Sequence, residues 1–158
     1  MIERERLQAF FSQEVQSHNA HISHSDDKEE ALKAVCQAIV WACALDAFRS
    51  QPTTPGSAAY RTLRRSETCG QHLEGVRYAR SRAAHQAAEL VRVVERATFP
   101  AFSPVPLFEI TWRLAAALPA PETDHLDRAG EDAYIRLLQD QPVRFTFDAL
   151  ARFFKHAA

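Results

Sequence analysis

Between residues 27 and 50 the chain carries a helical stretch that is apolar nearly all the way round at its middle, Val40-Trp41-Ala42-Cys43-Ala44-Leu45. A helix of that kind is covered on more than one side, so it must lie at the centre of the fold. Asp26 or Asp27 supplies an N-cap, and Glu29 and Glu30 suit the positive end of the helix dipole. Leu32, Val35, Ile39, Ala42, Cys43 and Asp46 fall along one side, flanked by Val40 and Phe48. Gln51-Pro52-Thr53-Thr54-Pro55-Gly56 ends the helix in a loop. A second long helix is predicted over 70–98, where Leu73, Val76, Ala83, Ala87, Leu90, Val91 and Val94 make a 3.6-residue stripe that Pro100 terminates.

The remaining segments are shorter. Leu7, Phe10, Phe11 and Val15 predict a first helix over 2–18, broken by the polar run Ser17–Ser25. Ser57 is placed as the cap of a short helix reaching about Arg65. Residues 99–123 interleave Phe99, Phe102, Phe108 and Trp112 with Pro100, Pro104 and Pro106, which predicts an irregular crossing segment with a short strand at 108–113. A helical turn at 114–118 and helices over 124–140 and 146–157 complete the chain, the last two separated by Pro142. The fold class expected is therefore all-α: one domain over 1–158, a helical bundle of about five to six helices.

Composition narrows the partners. A chain of 158 residues, 46% apolar and 25% charged, can bury one ordinary core. No uninterrupted apolar run reaches the ~18 residues of a membrane span. The start Met1-Ile2-Glu3-Arg4-Glu5-Arg6 has no apolar region behind it, so a cytoplasmic location without membrane contact is expected. The formal net charge of −1 rules out a polycation, yet Arg61, Arg64, Arg65, Arg77, Arg80 and Arg82 cluster within a short stretch. Arginine far outnumbers lysine and alanine is abundant, as expected of a GC-rich bacterial genome. Cys36 and Cys43 are too far apart along a helix (about 10 Å) to form a disulfide. His18, His21 and His24 recur every three residues, but no ligand of diagnostic spacing accompanies them, so no metal and no cofactor is expected.

One motif carries chemistry. Arg80-Ser81-Arg82-Ala83-Ala84-His85 lies within the run Arg77–Gln86. It resembles the Arg-x4-6-His motif of the HEPN superfamily, small and often dimeric helical bundles. Many of that family are metal-independent ribonucleases of toxin–antitoxin and antiviral systems. The family most often has Asn, Asp or His after the arginine; here the position holds Ser81. The resemblance implies a homodimer that acts on RNA, with His85 as acid/base and Arg80 as phosphate ligand. Those roles are chemically coherent, since imidazole exchanges protons near neutral pH and guanidinium holds phosphate through charge-assisted bonds. Tyr78, Ser81 and Arg82 are supporting candidates, and Arg61, Arg64, Arg65 and Arg77 are candidate RNA contacts.

Helical geometry sets a competing expectation. On a continuous helix Arg80 and His85 stand about 140° apart, and Arg80 falls in the apolar stripe near Leu73, Ala84, Ala87 and Val91. A buried Arg80 requires a carboxylate, for which Asp46 is the candidate. In that case the chain is a non-catalytic helical interaction module: an antitoxin, regulatory or assembly partner that binds another protein. A third expectation is a small-molecule pocket lined by Phe102, Phe108 and Trp112. The orientation of Arg80 separates the first two readings.

Overall fold

The computed structural model describes residues 2–24, 27–83, 87–95, 108–120 and 127–157. Among these residues it is an all-α bundle of six helices carrying one two-stranded sheet. Helix α1 spans Ile2–His24 and α2 spans Lys28–Ser50, each 23 residues long. Asp27 caps α2, its Oδ1 accepting from the backbone N–H of Glu29 at 2.7 Å and of Glu30 at 3.4 Å. The two helices run antiparallel, so that the Phe11 ring lies 5.3 Å from Trp41 and 6.2 Å from Phe48. The break expected after residue 18 does not occur. Val15, Asn19 and Ile22 keep helical spacing and are buried, and that packing outweighs the polar composition of the stretch.

Helix α2 is central as its composition requires, with Ala31, Val35, Ala38, Ile39, Ala42 and Leu45 buried. By length and composition it is also long enough and apolar enough to cross a membrane. The count of uninterrupted apolar residues did not show this because Lys33, Asp46 and Arg49 break the run. After the loop, Gly56 takes a left-handed φ of 77° and serves as the N-cap of α3, Ser57–Ser66, so Ser57 is its first residue and not its cap. Helix α4, Thr68–Arg82, follows at once through the extended Glu67.

The largest correction concerns the end of α4. The helix stops at Arg82, not at residue 98. A 3₁₀ turn at Ala87–Leu90 leads into strand β1, Val91–Glu95. It pairs antiparallel with β2, Phe108–Trp112, with Val91 opposite Trp112 and Glu95 opposite Phe108. Val91, Val93 and Val94 suit a half-buried strand as well as a helical stripe, and the available partner strand decides between them. The β2 strand falls where it was expected. Its Phe108, Ile110 and Trp112 are buried, and Trp112 Nε1 donates to Thr146 Oγ1 at 2.8 Å. Phe108 and Trp112 are thus core residues and not pocket walls, and Phe102 lies outside the described residues.

Helix α5, Arg128–Leu137, begins at Asp127, whose Oδ1 accepts from the Gly130 N–H at 2.9 Å. It is shorter than the 124–140 predicted, of which 124–126 lie outside the described residues. Asp140, at φ 63°, turns the chain back along β2, where the Asp140 N–H donates to Trp112 O at 3.1 Å and the Trp112 N–H to Gln141 O at 3.0 Å. Helix α6, Val143–His156, buries Val143, Phe147, Leu150, Phe153 and Phe154 at helical spacing.

The α3–α4 corner allows no side chain at Gly70. A Cβ there would lie 2.5 Å from Arg64 O and 2.7 Å from Arg64 Cα, both backbone atoms. Gly70→Ala therefore forces the two helices apart. It should cost roughly 1–3 kcal/mol, lowering the melting temperature by several degrees in a calorimetric or circular-dichroism melt.

Candidate functional site

Asp46 and Arg64 organise the region where α2, α3 and α4 meet. Asp46 is 2% exposed, one turn before the end of α2. A buried carboxylate must have its lone pairs filled. Arg64 Nη1 donates to Oδ1 at 2.6 Å and to Oδ2 at 2.8 Å. Tyr60 Oη donates to Oδ1 at 3.1 Å, and Arg77 Nη1 to Oδ2 at 3.1 Å. Ser50 Oγ adds a longer bond at 3.3 Å. Arg64 also holds Glu74, with Nε 2.9 Å from Oε1. Burial on its own would lower the Arg64 pKa, but the Asp46 hydrogen bond and charge outweigh it and keep the guanidinium charged. Burial and the adjacent Asp46 charge push the Tyr60 phenol up, so it remains a donor.

Above this pair lies a cleft of about 380 Å³. Helix α2 contributes Cys43, Asp46, Ala47 and Ser50, and α4 contributes Arg77, Arg80 and Ser81. The three α4 residues share a face because they are spaced by three and four. Arg80 is exposed, not buried in the apolar stripe as its helical position predicted. Ala87 and Val91, which defined that stripe beyond residue 83, are not on this helix. Asp46 is not its partner: among the described residues no carboxylate lies within ion-pair distance of Arg80, and Arg64 and Arg77 take Asp46 instead. Arg77 is divided, with one nitrogen on Asp46 and 47% of its side chain exposed. Burial pushes the Cys43 thiol up, while its hydrogen bond with Arg80 works the other way. Arg64, Arg77 and Arg80 stand against the carboxylates of Asp46 and Glu74, which leaves the cleft net positive and suited to an anion such as phosphate.

The other sequence candidates separate. Ser81 lines the cleft, its Oγ bonded to Tyr78 O at 2.7 Å. Tyr78 and Arg82 face α5: Tyr78 Oη donates to Glu131 at 3.0 Å and accepts from Arg82 Nη2 at 2.6 Å. They join α4 to α5 and take no part in the cleft. His85 lies outside the described residues. Arg64 is 5% exposed and committed to Asp46 and Glu74, so it is a structural residue and not an RNA-facing one. Arg65 is exposed, and Arg61 is half-buried with Nη1 3.4 Å from Ser50 O. His18 sits beside Glu14 and His21 bonds Ser17 O; among the described residues no three His, Cys, Asp or Glu converge on a metal position. The Arg64–Glu74 contact and the role of Tyr60 were not anticipated. The spacing Tyr60-x3-Arg64 on one face of a short amphipathic helix was the available signal.

Compared with known proteins, the chain matches no protein-family model, no curated protein and no solved structure.

Asp46→Ala strands Arg64 in the interior with Glu74 as its one remaining carboxylate among the described residues. The loss should be about 3–5 kcal/mol, read as a lower urea midpoint. Adding Arg64→Met to Asp46→Ala should recover part of that loss, because the unpaired charge is removed.

Proposed function

We propose that this chain is a HEPN-like protein, RNA-binding or a metal-independent endoribonuclease, acting as a homodimer. Arg80 holds the scissile phosphate, Arg77 and Ser81 line the same cleft, and His85 exchanges the proton of the attacking ribose 2′-hydroxyl. The observation that carries the reading is the position of Arg80. It stands exposed on a positive cleft wall, with no acid among the described residues to consume it, while the carboxylate below is neutralised by Arg64 and Arg77. Arg65 is exposed as well.

A second reading, a non-catalytic protein-interaction module, is favoured by a separate observation. Phe10 and Val40 are 47% and 46% exposed on neighbouring helices, and Phe10 packs edge-on against Trp41 at 5.5 Å. A partner that covers them removes that apolar surface from water.

The two readings part on one measurement, made on wild type, Arg80→Ala and His85→Ala in chelator-containing buffer. Wild type should cleave single-stranded RNA and elute as a dimer. His85→Ala should abolish cleavage while RNA binding and elution volume persist. Arg80→Ala should reduce cleavage roughly 100-fold and lower the salt dependence of binding by about one charge. Undiminished RNase activity in His85→Ala removes the catalytic assignment, and absence of cleavage by wild type leaves the interaction module.

A further inference from the structure

A groove of about 780 Å³ lies between α1 and α6, whereas the phosphate cleft lies between α2 and α4. Ala20 and Ala151 line it with small side chains, which leave room for a flat ring. Phe145 forms one wall and is 50% exposed, unusual for so large an apolar side chain on an otherwise well-buried helix. Arg144 lies 4.7 Å from the Phe145 ring centroid.

The polar side of the groove is asymmetric. Asp148 and Arg152 line it from α6 at i and i+4, a spacing that ordinarily closes into an ion pair. They do not pair. Asp148 Oδ1 instead accepts from Asn19 Nδ2 at 2.6 Å, and among the described residues no carboxylate is within ion-pair distance of Arg152. A carboxylate able to accept further bonds thus stands one helical turn from a guanidinium, beside an exposed aromatic ring. A ligand that bridges them is a planar ring with a donor edge next to an acceptor edge.

We infer that the α1–α6 groove binds a guanine base, stacked on Phe145. Guanine presents N1–H and N2–H₂ to a carboxylate, and O6 and N7 to an arginine, on adjoining edges. Asp148 takes the donors and Arg152 the acceptors. Adenine offers an acceptor at N1 and a donor at N6 and keeps only the N7 acceptor, so it loses the carboxylate contact and one of the two arginine contacts. Aromatic stacking supplies affinity without choosing the base, and the Asp148/Arg152 pair supplies the choice. The assignment does not depend on the cleft between α2 and α4.

Calorimetric titration of the full chain with guanosine, inosine and adenosine 5′-monophosphates tests it, alongside a uridine hexanucleotide with and without one guanine. Guanosine monophosphate should bind at least tenfold more tightly than adenosine monophosphate, with inosine monophosphate, which lacks the N2 amine, in between. Phe145→Ala and Arg152→Gln change exposed residues and should keep the wild-type melting temperature while losing at least tenfold in affinity. Asp148→Asn should erase the preference for guanosine over adenosine. Arg80→Ala should keep the wild-type ratio of guanosine to adenosine monophosphate affinity, which separates base recognition here from the phosphate cleft. If the free nucleotide binds, the groove takes guanine as a soluble ligand; if only the guanine-containing hexanucleotide binds, it takes guanine within RNA. No binding of either, equal binding of adenosine, or wild-type affinity in Phe145→Ala and Arg152→Gln overturns the inference.

Discussion

The Asp46 carboxylate is the constraint on which the centre of this protein depends. It is buried on the most apolar helix of the chain, where an ionised group is costly to place. That cost is offset only if donors arrive from outside the helix, and they come from two others: Tyr60 and Arg64 on α3, Arg77 on α4. Three helices are thereby fixed in register by one side chain. Apolar packing between helices tolerates sliding and repacking, whereas this arrangement has a single geometry in which every bond is made.

The same requirement shapes the cleft. Because Asp46 draws Arg64 fully inside and Arg77 part of the way, the face of α4 that carries Arg77 and Arg80 is held against the end of α2. Arg80 is one turn beyond Arg77, past the reach of the carboxylate. A structural arginine, a shared arginine and an unpaired arginine thus follow one another outward from the core. Arg64 is buried while Arg77 and Arg80 are exposed, a consequence of one buried charge having room for only so many donors.

Particular residues show how far the sequence could be read. The apolar middle of α2, the Asp27 cap, the Pro142 boundary and the α6 stripe through Phe147, Leu150 and Phe154 were all legible, because each follows from local periodicity or capping chemistry. The β2 strand was legible through its alternation. The end of α4 was not. Ala83–Leu90 contains no proline or glycine to stop a helix, and Val91, Val93 and Val94 satisfy helical and strand spacing alike. The partner that makes them a strand lies across the crossing segment, beyond any local window. The burial expected of Arg80 fails for the same reason, since Ala87 and Val91, which extend the apolar stripe around it, belong to other elements.

The sequence by itself determined that the chain is a helical bundle with a buried central helix, because the period of apolar residues and the cost of exposing them are local properties. Only the tertiary structure decided which arginine answers Asp46. Arg64, Arg77 and Arg80 are chemically identical, and sequence spacing carries no information about distances between different helices. The choice falls to whichever guanidinium the packing of α3 and α4 brings within 3.1 Å of the carboxylate. That choice leaves Arg80 in the cleft with its charge unspent.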